Sequence, residues 1–219
     1  MSKLSAVVNK PAFASVFLGL AQVGAMASPA SAQNSETSAS AAVSTLAQRI
    51  DAEEEADASV DPSASLARRK LLLEEALTPD SPDPRSVGRV HHLIGQAYFH
   101  LGDVEQAFSA FQPAEASLAE AGEAARADLI KVRSDLAVIY NYKGEHEKAR
   151  KNFLDALAFW EEKAAGKPHL ELATALNNVA ASELEQGNLA AALEYNQRAT
   201  DMALSLNPVP VDTPVWLAN

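Results

Sequence analysis

The side chains best suited to chemistry in this sequence are its five histidines, because imidazole can bind a metal or transfer a proton near neutral pH. Their spacing favours neither use. His91 and His92 are adjacent and therefore lie on different faces of a helix. His92 and His100 are about 12 Å apart along a helix, too far to share a metal, and His146 and His169 have no partner at helical spacing. We assign the histidines to the surface or to a groove, and we predict no metal and no cofactor.

Other catalytic arrangements are absent from the sequence. Carboxylate pairs such as Glu161-Glu162 fall at expected helix ends, where they improve solubility. No glycine-rich phosphate loop follows a strand. The lack of cysteine removes disulfides, thiolate catalysis and thiolate metal sites. We therefore predict that the protein is not an enzyme, although an unrecognised site is an alternative that turnover or a bound metal would reveal.

The sequence does contain one pattern that occurs three times. A large apolar residue and a small one are followed by tyrosine, a turn glycine, an alanine, an aromatic residue and a second alanine. The turn glycines Gly102, Gly144 and Gly187 lie 42 and 43 residues apart. A fixed period of this length is typical of a stacked array, in which each unit needs a neighbour to bury its apolar face. The pattern is carried by Ile94, Gly95, Tyr98, Gly102, Ala107, Phe111 and Ala114, then by Leu136, Ala137, Tyr140, Gly144, Ala149, Phe153 and Ala156, then by Val179, Ala180, Gly187, Ala192 and Ala199.

Each copy is expected to form an antiparallel helical hairpin. Apolar residues recur at helical spacing on both sides of each glycine, which is the residue that accepts positive φ at a helix C-terminus. Ala107, Ala149 and Ala192 each lie five residues after the glycine, where the two backbones would approach most closely. The predicted helices are 86–100 with 104–120, 123–142 with 146–164, and 168–186 with 189–206.

The order of residues resembles the tetratricopeptide repeat, and the longer period resembles the kinesin-light-chain-like variety, whose helices carry about two extra turns. The resemblance covers repeats at about 88–121, 130–163 and 173–206. The third copy is weaker, because Glu183 replaces tyrosine and Tyr195-Asn196 replaces phenylalanine. The resemblance implies an all-α fold, a right-handed α-solenoid of three helical hairpins, to which we add an N-terminal capping helix.

In arrays of this family the first helix of each pair lines a concave groove that receives a peptide, so the resemblance implies a protein or peptide partner. The segment Leu176-Asn-Asn-Val-Ala180 looks much like the Leu-Asn-Asn-Leu-Ala of kinesin-light-chain repeats, where an asparagine amide can hold a peptide backbone without reading its sequence. An ordinary solvent-facing amide is the alternative. The lysine and asparagine set of carboxylate-clamp repeats is missing, so binding of chaperone tails is not implied. The groove positions transferred by register are Arg89, His92, Leu93, Gln96, Phe99, His100, Lys131, Ser134, Asp135, Val138, Asn141, Tyr142, Thr174, Asn177, Asn178, Ala181, Leu184 and Glu185.

Composition limits the possible partners. The chain is 47% hydrophobic and 21% charged, which suits one globular solenoid domain. Its net charge is −11, and it becomes −13 when the first 32 residues are removed, because Lys3 and Lys10 are their only charged groups. An acidic protein without a basic stripe repels nucleic acid and anionic membranes. We expect no nucleic-acid partner.

Residues 1–32 have the features of a signal peptide. A positive start is followed by the uncharged, largely apolar run 12–27, and Ala30-Ser31-Ala32 supplies the small residues that a signal peptidase reads. The run is short, since a membrane-spanning helix needs about 20 apolar residues. An uncleaved membrane anchor is the alternative. We expect a periplasmic or secreted bacterial protein that has no membrane partner once the signal is removed.

The remaining segments flank the array. Residues 33–63, rich in Ser, Ala and acidic residues, are predicted to be a mobile spacer with at most a transient helix near 42–57. The array itself is predicted over 64–207, and its capping helix over 64–78. The tail 208–219 is rich in proline and cannot continue a helix. It could cover the last hairpin or enter the groove as an internal ligand, and the sequence leaves both open.

Two functions are consistent with these features. The first is an exported module that binds a peptide or protein segment in the concave groove. The alternative is a structural or self-assembling scaffold of the cell envelope, which would use the ends of the stack and would be anchored to the membrane if the signal is not cleaved. Self-association would show as a concentration-dependent mass.

We predict that the mature protein begins at Gln33, because Ala30 and Ala32 satisfy the small-residue rule after the apolar run. The intact mass of the protein expressed in its native host tests this. A membrane-bound product that still carries Met1 would contradict export and release.

Overall fold

The computed structural model describes residues 45–56, 61–78 and 82–206. The predicted signal peptide and the Pro-rich tail lie outside these residues. The described residues form eight α-helices and contain no strand, which confirms the predicted all-α solenoid. The helices are α1 (Leu46–Glu55), α2 (Pro62–Ala76), α3 (Pro84–His100), α4 (Val104–Glu120), α5 (Arg126–Tyr142), α6 (His146–Ala164), α7 (Leu170–Glu185) and α8 (Leu189–Leu204), with a short 3₁₀ helix (Gly122–Ala125) before α5.

The three predicted hairpins are α3–α4, α5–α6 and α7–α8, and their turns share one hydrogen-bond pattern. Gly102, Gly144 and Gly187 have φ of 78°, 77° and 79°. The residue after each glycine donates its N–H back to the last turn of the preceding helix, for example Asp103 to the Tyr98 carbonyl at 2.9 Å. These hydrogen bonds satisfy carbonyl groups that the end of the helix would otherwise leave unpaired. Glycine adopts the positive φ that this turn requires without strain. The turns therefore have the conformation that the spacing of the glycines predicts.

The small residues lie where two helices approach. Ala107 and Ala149 are fully buried and Ala192 is 8% exposed, which confirms their predicted position at helix contacts. Gly95 shows the same constraint inside α3, because a Cβ added there would lie 2.3 Å from the ring of the fully buried Phe111. The core is thus filled by pairing a large side chain with a small one.

The N-terminal end differs from the prediction in one respect. The spacer expected over 33–63 contains α1, which is part of the packed structure, so the expectation of a merely transient helix is wrong for 46–55. Its Ile50 is fully buried and packs in one cluster with Leu72 of α2 and Val90 of α3. Leu46 packs against the same cluster, and Glu53 accepts a 2.6 Å hydrogen bond from Arg68. Helix α2 is the predicted capping helix.

One contact between consecutive hairpins occurs at the same two repeat positions in both interfaces. It is an aromatic pair in the first interface and an ion pair in the second. The first position is six residues after the turn glycine, and the second is four residues before the next one. Between hairpins one and two, Phe108 contacts Tyr140 edge to face, with ring centroids 6.1 Å apart. Between hairpins two and three, Arg150 donates a 2.8 Å hydrogen bond to Glu183. Glu183, which replaces the tyrosine of the other copies, is therefore paired with Arg150, which replaces the Phe108 of the first hairpin.

Glu183 is only 3% exposed, so its charge depends on its partners. Burial by itself raises the pKa of Glu183, but hydrogen bonds from Asn188 at 2.7 Å and from Arg150 outweigh it, and the pKa lies below the usual value. Because this pKa is lower in the folded than in the unfolded state, the stabilisation is fully present above the unfolded-state pKa. It is lost as the pH falls through the folded-state pKa.

We predict that Ala149→Leu lowers the free energy of unfolding by about 1–3 kcal/mol, because the added carbons overpack a contact between helices. Glu162→Leu, at an exposed position of the same helix, is the matched control and should change stability little. Urea denaturation measures both. Equal effects of the two substitutions would show that the repeat register is wrong.

We also predict that Arg150→Phe and Glu183→Tyr are each destabilising, whereas the double variant recovers stability by recreating the Phe108–Tyr140 pair. Neighbouring residues couple by about 0.5–3 kcal/mol, so we expect a favourable coupling energy of at least about 1 kcal/mol in a double-mutant cycle. Purely additive effects would refute the equivalence of the two interfaces.

The same variants have a pH signature. Wild-type protein should lose the Glu183 contribution as the pH falls through the acid range, whereas the phenylalanine and tyrosine of the double variant do not titrate there. Comparing denaturation curves of the two proteins at neutral and acidic pH isolates this component.

Candidate functional site

The first helices of the three hairpins, α3, α5 and α7, together line a concave cavity of about 160 Å³. This is the surface on which the sequence placed the groove. The predicted groove residues that line the cavity are Arg89, His92, Leu93, Gln96, His100, Lys131, Ser134, Asp135, Val138, Thr174 and Asn178. The lining residues that the sequence did not indicate are Glu54, Ala56, Arg69, Asp128, Trp160, Glu171 and Ala175.

Seven predicted groove positions do not line the cavity: Phe99, Asn141, Tyr142, Asn177, Ala181, Leu184 and Glu185. Most of them lie near the C-terminal ends of the first helices, beside the hairpin turns. Phe99 contacts Tyr142 edge to face at 6.1 Å, and buried Asn141 has its Oδ1 3.3 Å from His146 Nδ1. Leu184 is 56% exposed at the last hairpin. Their assignment to the groove stays a prediction.

A buried polar pair crosses the wall of the cavity. His92 Nε2 of α3 lies 2.6 Å from Asp135 Oδ2 of α5, and the Gln96 amide nitrogen donates to the same oxygen at 3.4 Å. Both residues of the pair are at most 9% exposed. The pair joins hairpins one and two, so its evident effect is to fix how these helices lie side by side. His92 and Asp135 were both predicted as groove residues but not as a pair, although Asp135 follows His92 after 43 residues, the spacing of the repeats.

Most charges around the cavity are neutralised within the protein. Arg89 donates to Glu54 and Asp51 of α1 at 2.8 and 2.6 Å, and the bond to Glu54 is the main reason that the pKa of Arg89 is raised. Lys131 of α5 lies 3.6 Å from Glu171 of α7. Within the described residues, no group of three or more His, Cys, Asp or Glu side chains could hold a metal ion.

Arg69 of α2 is the most deeply buried charge, at 1% exposure. It donates to the Leu93 carbonyl of α3 at 2.6 Å and to the Glu53 carbonyl of α1 at 3.1 Å. Burial lowers the pKa of Arg69, although Glu53 offsets part of this effect. Arg69 thus ties α1 and α2 to the first hairpin at one end of the cavity.

Among the described residues that line the cavity, Asn178 of α7 is the exception to this satisfaction of polar groups, while Ser65 and Asn196 also have an unpaired buried oxygen but lie outside the lining. It is 6% exposed, and its Oδ1 has no hydrogen-bond partner within the described part of the chain. An unpaired buried acceptor costs about 1–3 kcal/mol. The residue lines the cavity, so a ligand that offers an N–H would satisfy this oxygen.

The sequence profile of the tetratricopeptide repeat matches residues 86–162 and 128–205, which together span more than half of the chain. The chain belongs to the tetratricopeptide repeat family. Tetratricopeptide repeats generally mediate protein–protein interaction. No protein of curated function matches the chain closely.

Solved structures share the tetratricopeptide fold of the chain. BtubC (BKLC) from P. vanneervenii superimposes with a TM-score of 0.59 at 17% identity, over 74% of this chain and 62% of that one. The nearly identical TPR-like repeats of a putative kinesin light chain from Podosopora anserina, and a single-substitution form of them, both give a TM-score of 0.59 at 14% identity. These cover 79% of this chain and 81% and 80% of theirs. At such identities the likeness establishes the fold alone.

The tetratricopeptide helices do not include a membrane span. None of those in the described ranges is both long enough and apolar enough to cross a bilayer.

Proposed function

We propose that this tetratricopeptide array binds a peptide or protein segment in the cavity lined by α3, α5 and α7. The observation that carries the proposal is Asn178 Oδ1, a buried acceptor without a partner in the described residues, on the wall of the cavity. A peptide backbone presents N–H groups whatever its sequence, and accepting one of them would remove the cost of the unpaired oxygen.

The other lining residues are consistent with a peptide ligand. Leu93, Val138 and Trp160 supply apolar surface, and Gln96 and Ser134 supply further polar groups. The charged side chains around the cavity are largely paired with one another, so a strongly charged ligand would have to break existing ion pairs. We infer that the ligand is a segment of low charge, held by backbone hydrogen bonds and by one or more apolar side chains.

The proposed place of action is the periplasm or the outside of a bacterial cell. This rests on the signal-like residues 1–32, which are not among the described residues. The proposed array then acts free of the membrane, as an adaptor for an exported protein.

A self-assembling scaffold of the cell envelope is the alternative function. It would use the ends of the stack instead of the cavity, so it requires a mass that rises with concentration. It also requires that substitutions in the cavity leave the assembly unchanged.

We predict that Asn178→Leu weakens peptide binding while it preserves or raises stability. Leucine is similar in size, removes the unpaired oxygen, and occupies the equivalent position in the first hairpin as Leu93. The loss of one backbone hydrogen bond, about 0.5–1.5 kcal/mol, corresponds to an affinity decrease of about 2–10-fold. The probe is a set of peptides selected on the wild-type chain from a random display library, with affinities measured by calorimetry.

The control is Glu162→Leu, which makes the same kind of polar-to-leucine change at an exposed position that does not line the cavity. It should leave affinity unchanged. If the selected peptides bind Asn178→Leu as tightly as they bind the wild-type chain, Asn178 does not contact the ligand and the proposal fails.

A further inference from the structure

The last helix, α8, has two apolar faces, and only one of them is covered. Ala192, Ala199 and Ala203 are at most 8% exposed. Leu189, Leu193 and Leu204 are 66%, 71% and 59% exposed. We call these three leucines the leucine stripe, because a helix of about 3.6 residues per turn places them on one line along its surface.

The repeat register explains why the stripe is apolar. Leu193 lies six residues after its turn glycine, which is the position of Phe108 and Arg150 in the first two hairpins. Both of those side chains reach the following hairpin, at Tyr140 and Glu183. Leu189 corresponds in the same way to Val104, which packs in the cluster between hairpins one and two. Leu189 and Leu193 therefore lie on the stacking face of a hairpin that no further hairpin follows in the described chain. Leu204 extends the stripe along α8, at the position of the exposed Ala119 and Glu161 of the first two hairpins.

We propose that residues 207–219 of the same chain dock on the leucine stripe and close this end of the array. The described chain ends at Leu206, two residues beyond Leu204. From Leu204 back to Leu189 the stripe is about 22 Å long. The thirteen residues that follow Leu206 can extend over about 43 Å, so they reach the whole stripe.

The composition of this segment suits an extended cover. Its prolines Pro208, Pro210 and Pro214 lack the N–H that a helix needs and favour extended backbone. In an extended chain alternate residues share a face. Four apolar residues then fall on one side, at the odd positions Val209, Val211, Val215 and Leu217.

The tether favours the chain's own segment over a second copy. A segment joined to its site by a short linker has an effective concentration in the millimolar range, whereas a second copy is present at its solution concentration. The stripe lies on α8 itself and begins two residues before Leu206, whereas the cavity is lined mainly by the first helices of the hairpins.

Disulfide trapping in the full chain tests the proposal, since the chain has no cysteine of its own. Leu193→Cys is combined in turn with Val209→Cys, Val211→Cys or Val215→Cys. Ser134→Cys in the cavity is combined with the same three as the matched control. Each protein is oxidised at micromolar concentration, and intact mass separates a crosslinked monomer from a dimer.

We expect crosslinked monomer in at least one Leu193→Cys combination, at a yield about tenfold above the best Ser134→Cys combination, as for a docked segment compared with a loose tether. Three results overturn the proposal. Preferential crosslinking to Ser134→Cys would place the segment in the cavity. Predominant dimers would assign the stripe to a second copy, and equal low yields at both sites would show that the segment docks on neither.

Discussion

The structure depends on the fact that no hairpin of this protein can bury its own apolar faces. Each second helix must cover, and be covered by, the first helix of the following hairpin. A buried cluster that includes Phe111 and Leu136 fills the contact between hairpins one and two. Phe108 against Tyr140, and Arg150 against Glu183 in the next contact, lie at equivalent positions beside the core. Because the stacking sets the first helices side by side, it also creates the cavity. Interface and binding site are therefore consequences of one geometric requirement.

Most charged side chains that line the cavity are paired with an opposite charge, whereas the buried Asn178 oxygen has no hydrogen-bond partner in the described residues. His92 with Asp135, Lys131 with Glu171 and Arg89 with Glu54 each join two helices, so the polar residues of the wall also hold the array together. A charge used in this way is not free to attract a ligand. Asn178 Oδ1 is left without a partner in the described residues, and stability is lost there unless something binds. In the proposed function, this oxygen is where a ligand N–H would donate.

Much of the fold could be predicted from local chemistry, whereas the details of the site could not. The turn glycines and the small alanines follow from backbone geometry, which sequence spacing reveals directly. Helix α1 was predicted only as a transient helix, because Leu46 and Ile50 alone in an acidic segment give a weak periodic signal, although Ile50 is fully buried. The sequence could not show which of Asn177 and Asn178 lines the cavity. Neighbouring residues differ by about 100° around a helix, and in the structure only Asn178 of the two faces the cavity.

Phe108, Arg150 and Leu193 lie at the same repeat position in the three hairpins, and they differ in which partner residue they can contact. Phe108 accepts an aromatic partner, and a different apolar residue could replace that partner at moderate cost. Glu183 requires a cation at the position of Arg150, because the buried carboxylate would otherwise lose its charged partner, and this restricts which hairpin precedes the third. Leu193 discriminates least, since any apolar surface can cover it. In the proposed arrangement, residues 207–219 cover this contact without recruiting other molecules.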